Sequence, residues 1–96
     1  MTRMLRIGTC SVCGTGNVGI RIAASARCVV GMCDECDAVW ADRKLQDGPH
    51  FPQQPELPCP GDGSSLRSAP AHWANRAEAS AAGWEEAVLG ETETIG

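Results

Sequence analysis

Tyrosine is absent from this chain and phenylalanine occurs once, at Phe51. Much of the remaining hydrophobic content is alanine, concentrated after residue 68, so Trp40, Trp73 and Trp84 are the main large apolar groups. A chain of 96 residues buries only about two-thirds of the surface its unfolded form exposes, and such chains need extra fastening. No apolar run approaches the roughly 20 residues of a membrane span. The N-terminal MTRMLRIGTC is too short and too interrupted by arginine for a secretory leader. A reducing, cytoplasmic location is therefore expected, where paired cysteines favour metal over disulfides. A basic excess is also lacking. Residues 1–44 carry six basic and four acidic side chains, residues 45–96 two and eight, so +2 and −6 give the net −4. A metal held by four thiolates adds about two negative charges to the first half. That is a poor footprint for phosphate binding, which needs a net basic face.

Cysteine, by contrast, is plentiful, with six residues. Cys10-Ser-Val-Cys13-Gly14 and Cys33-Asp-Glu-Cys36-Asp37 are two C-x-x-C pairs separated by nineteen residues. One such turn offers two thiolates on adjacent corners of a tetrahedron, and a hairpin that joins two turns completes a four-sulfur shell. The carboxylates around the second pair sharpen the choice. A redox C-x-x-C needs a lowered thiol pKa, and Asp34, Glu35 and Asp37 oppose the thiolate. A dication supplies the missing positive charge, and the acids are expected to face solvent.

With CSVCG, a glycine-bearing hairpin and CDEC in place, residues 8–42 resemble a zinc ribbon, a short β-hairpin fold clamped by two metal knuckles. The resemblance implies Cys10, Cys13, Cys33 and Cys36 as ligands of one structural Zn2+, and it implies no activity. Rubredoxin, an iron electron carrier with similar knuckles, is the alternative. Its knuckles carry a proline and a glycine that CDECD lacks, and aromatic residues around the iron that are scarce here.

The expected fold is a small metal-stabilised β structure. Residues 1–44 form a zinc-ribbon hairpin or three-stranded sheet, with strands around Val18–Ala24, Arg27–Met32 and Ala38–Trp40. Residues 45–70 hold all six prolines and read as an irregular strap or linker. Residues 71–96 form a short helical segment with an acidic tail. There, Asn75 and Glu78 make a capping box, Arg76–Ala82 is helical, and Gly83 is the left-handed cap. Trp84 then folds back on the last turn.

Among the remaining residues, Cys28 reads as a small buried hydrophobe, with a Cys28–Cys59 disulfide, or Cys59 replacing a ligand, as alternatives. His50 and His72 read as solvent-exposed. Ser64 and Ser65 in PGDGSSL have no identifiable base and read as turn residues. Four thiolates leave no open coordination position, so no enzymatic activity, small-molecule substrate or further cofactor is expected. The expected function is protein binding, as an accessory module, adaptor or inhibitor of a basic partner, or as a homodimer. Trp73 and Trp84 are candidate contacts. The alternative is a nucleic-acid-binding ribbon that uses Arg21 and Arg27 on one hairpin face.

Overall fold

A computed structural model describes residues 2–94 of the chain. Six antiparallel strands form one sheet: β1 (Thr2–Thr9), β2 (Asn17–Ile22), β3 (Val29–Cys33), β4 (Val39–Trp40), β5 (His72–Trp73) and β6 (Gly90–Thr94). Their order is β4-β3-β2-β1-β6, with β5 pairing the far end of β2. Helix α1 (Arg76–Ala82) and a 3₁₀ turn (Glu85–Ala87) lie between β5 and β6. The β2–β3 hairpin pairs Val18 with Cys33 and Ile22 with Val29, which sends the two cysteine turns to the same end.

Both faces of the sheet are covered. On one face Leu5, Ile7, Val18, Ile20 and Ile22 pack with Trp40, Ala79 and Trp84. On the other, Val30, Met32 and Val39 pack with Leu57, Cys59 and Leu66 of the proline-rich segment. That segment is a strap, held by Leu57 and Leu66 at 0% exposure. Backbone bonds from Ala24 N–H to Ser65 C=O (2.8 Å) and between Val39 and His50 tie it down.

The helix forms where its capping signals place it. The Asn75 side chain accepts from Glu78 N–H, Glu78 accepts from Asn75 N–H, and Gly83 closes the end at φ 79°. Seven residues are too few to persist alone, and burial of Ala79 and Trp84 against the sheet supplies the difference.

Three expectations need correction. The sheet has six strands where a hairpin or three strands were expected, because β1, β5 and β6 join it. The acidic tail supplies β6, which pairs Glu93 with Arg3 and Glu91 with Leu5 on β1. Cys28 is not a free buried thiol, since it is bonded to Cys59 across a Cα–Cα distance of 6.8 Å.

Candidate metal centre

The first cysteine turn leaves β1 at Thr9. Cys10 C=O accepts the Gly14 N–H at 3.1 Å, and Cys10 N–H donates to Gly16 C=O at 2.9 Å. Gly14 takes a left-handed φ of 76°, which costs glycine little. The second turn leaves β3 at Cys33, whose N–H donates to Ala38 C=O at 2.9 Å. Here Asp37 holds the left-handed position, at φ 63°. Aspartate tolerates that conformation better than most residues, and its carboxylate is held by Arg67 and by Gln54, each at 2.9 Å.

The turns bring four Sγ atoms together, all within 4.8 Å of one another. Cys10 and Cys36 sulfurs are 3.6 Å apart, and Cys13 and Cys33 sulfurs 3.8 Å. A tetrahedron with metal–sulfur bonds of about 2.3 Å has edges of about 3.8 Å, so the donor set fits one thiophilic dication. Backbone amides point at the sulfurs: Val12 N–H at Cys10, Gly16 N–H at Cys13, and Glu35 and Cys36 N–H at Cys33. Such contacts spread thiolate charge and fix ligand orientation. Gly16 is required here, because a Cβ on it would collide with the Cys33 sulfur.

The cluster is uneven. Cys10 and Cys33 are buried, Cys36 is half-buried and Cys13 is exposed. Backbone amides of Thr15 and Gly16 lower the Cys13 pKa to about 6. Burial pushes Cys33 strongly up, against its amide bonds, and also raises Cys36. Burial, rather than the flanking carboxylates, is thus the leading opponent of the Cys33 thiolate. The acids also do not simply face solvent. Asp34 accepts the Asn17 N–H at 3.0 Å, Glu35 accepts the Thr15 hydroxyl at 3.2 Å, and Asp37 is paired with Arg67.

The remaining candidate residues are dispersed. Arg21 lies with its guanidinium carbon 4.8 Å from the Trp73 ring centroid and donates Nε–H to Leu66 C=O at 2.8 Å. Arg27 lies in the turn between β2 and β3, exposed near Asp62, whereas Arg21 is engaged by Trp73 and Leu66, so the two do not form one free basic patch. Trp84 is 8% exposed and belongs to the core. It presents no docking surface. His72 is held between Pro70 C=O and Glu78, each at 2.7 Å. Ser64 and Ser65 bond to Asp62 and Glu56, in turn-forming roles.

One feature had no signal in the sequence. A groove of about 380 Å³ beside the second turn is lined by Arg21, Glu35, Asp37, Leu57, Arg67 and Trp73, among others. Its walls come from β2, the Cys33–Asp37 turn, the strap and β5, and no local pattern joins segments so far apart. No helix among the described residues is long and apolar enough to cross a membrane. No family model matches the chain, and no curated protein or solved structure matches it.

Proposed function

We propose that the chain is a zinc-ribbon-like binding module, stabilised by one zinc ion on Cys10, Cys13, Cys33 and Cys36, and that its ligand is a segment of another protein. A bound dication supplies the charge that holds all four sulfurs as thiolates. Four protein ligands leave no position for a substrate, which favours a structural role and a non-enzymatic function.

The groove beside the second turn carries the binding reading. Trp73, stacked under Arg21, gives one wall a rigid aromatic surface, the type of anchor on which interface energy concentrates. Met32 and Leu57 back the groove but are buried, so Trp73 supplies its apolar contact, while Asp34, Glu35 and Asp37 add negative charge. A segment with one apolar and one basic side chain matches these walls. Nucleic acid matches them less well, since three carboxylates share the groove and Arg27 lies elsewhere.

The test is affinity capture from native extract with wild-type protein and the Trp73→Ala and Glu35→Lys variants, each checked for an unchanged thermal transition. A discrete protein retained by the wild type, with its affinity cut at least about 30-fold by Trp73→Ala, is expected. Recovery of nucleic acid that is released by moderate salt would favour the alternative, and equal capture by all three proteins would exclude the groove.

A further inference from the structure

The two cysteines outside the four-sulfur cluster lie on a turn built like its first knuckle. In Cys10–Gly14, the fifth residue donates to the first carbonyl at 3.1 Å and is a glycine at φ 76°. In Cys59–Gly63, the same bond is 2.8 Å and Gly63 has φ 77°. The leading cysteine N–H is also closed in both turns, onto Gly16 C=O at 2.9 Å in one and Ser64 C=O at 2.7 Å in the other. Three residues after the leading cysteine, the first turn has Cys13, and the second has Asp62.

The chain completes this second turn as it completes the first. Cys33, at one end of β3, faces the first knuckle, and Cys28, just before the other end of β3, faces the second. The donor atoms of Cys28, Cys59 and Asp62 lie within 4.8 Å of one another. Glycine again makes room over sulfur: a Cβ on Gly61 would lie 3.0 Å from Cys28 Sγ. The Asp62 carboxylate is pre-oriented, with Ser25 Oγ–H on Oδ2 at 2.6 Å and Ser64 Oγ–H and N–H on Oδ1 at 2.7 and 3.0 Å. With Oδ1 accepting two hydrogen bonds and Oδ2 one, a lone pair on Oδ2 is left for a ligand contact. Carboxylates that ligate metals are commonly oriented by hydrogen bonds of this kind.

We propose that reduction of the Cys28–Cys59 disulfide turns this knuckle into a second metal site, in which the Cys28 and Cys59 thiolates and an Asp62 carboxylate oxygen hold a zinc-class dication with one position left to water. The reductant is a dithiol. One of its thiolates attacks a disulfide sulfur and displaces the other as thiolate. Its second thiolate then resolves the mixed disulfide and leaves as an oxidised dithiol. Two electrons and two protons pass to Cys28 and Cys59, and the incoming cation displaces one proton from each thiol. The strap end of the sheet is thereby fastened in both states, by a covalent bond when oxidised and by a metal when reduced. Two thiolates, one carboxylate and water form an open shell, unlike the closed four-sulfur centre. This site accordingly responds to redox state and to free metal.

The full-length protein is loaded with excess zinc, desalted, and analysed for zinc and free thiols per chain, once oxidised and once after phosphine reduction. One zinc when oxidised and two when reduced, with two additional thiols, is the expected result. In the reduced state Asp62→Ala should weaken the second equivalent by at least about tenfold, and it leaves the disulfide cysteines in place should their replacement impair folding. The Cys28→Ser, Cys59→Ser double variant should hold one zinc under both conditions. No zinc when oxidised and one when reduced, lost in Asp62→Ala, would support this site and remove the four-cysteine reading instead. Equal stoichiometry in the two states, or a disulfide that the phosphine does not open, would overturn the proposal.

Discussion

Strand β3 has a cysteine at each end, and the two ends are fastened in different ways. At Cys33 the partners are three sulfurs, of Cys10, Cys13 and Cys36, from two turns that the β2–β3 hairpin brings together. At Cys28 the partner is Cys59, 31 residues away, on a strap with no regular structure of its own beyond isolated bridges. A hairpin needs little beyond its own register to assemble the first fastening. The second has to recruit a distant segment, and so shortens the unfolded ensemble more. Small sheets with a thin core use whichever fastening their sequence distances permit.

Stripping the metal breaks the comparison at the knuckle end and carries the largest expected effect. Structural zinc contributes on the order of 10 kcal/mol of binding free energy, comparable to the whole stability of a domain. Metal-loaded protein treated with a strong chelator should lose its cooperative thermal transition, while the oxidised disulfide persists. An unchanged transition, recorded by circular dichroism, would show that the sulfur cluster is not a metal fastening.

Severing the other end should cost less. By the chain-entropy relation, a 31-residue separation corresponds to about 3–4 kcal/mol. The Cys28→Ser, Cys59→Ser double variant, compared with oxidised wild type, should melt at lower temperature by roughly 4–8 °C per kcal/mol. Hydrogen exchange should increase first around Leu57 and Leu66 and last around Cys33. Uniform acceleration would mean that the two ends do not behave as separate fastenings.

The smallest effect sharpens the strap end. Pro70 C=O and then Glu78 raise the His72 pKa above its ordinary 6.5. The Asn75 N–H and then His72 lower that of Glu78 below 4.5. A raised histidine stabilises fully below the unfolded value and loses that contribution as pH rises through the folded one. A lowered carboxylate contributes above its unfolded value and loses it as pH falls. The clip is therefore strongest between about pH 4.5 and 6.5 and fades at higher pH. Because the His72 side chain is 45% exposed, the gain is small. The melting difference between wild type and His72→Gln should shrink from about pH 5.5 to about pH 8.5, and a constant difference would show that the contact is not electrostatic.

The knuckles and the helix were legible because their signals are local. Ligand pairs are spaced by two residues, and Asn75, Glu78 and Gly83 sit at fixed offsets in one turn or two. The rest depends on contacts far apart in sequence. Strand β1 shows no clean alternation because both faces are covered: Met4 reaches Gly19 on the strap side, while Leu5 and Ile7 join the helix-side core. Strand β6, read as an acidic tail, lies at the edge of the sheet and needs few apolar residues. The strap announces itself by Leu57 and Leu66 alone, two leucines among prolines. Nor does spacing relate Cys28 to Cys59, or Arg21 to Trp73, because both pairs form only after the strap and β5 have closed over the sheet.

Strand β6 also decides how the molecule behaves when crowded. Its outer edge is an open row of backbone donors and acceptors, the kind of template on which identical chains stack. Glu91 and Glu93 are exposed along it, and Arg3 reaches them from β1 at 3.4 and 3.5 Å. A second copy approaching antiparallel would set glutamates against glutamates, with only part of their charge offset from behind. The guard weakens as added salt brings the screening length to about 10 Å or less. Pairing of two copies at this edge should therefore rise with ionic strength, with Glu91 and Glu93 opposing it at low salt.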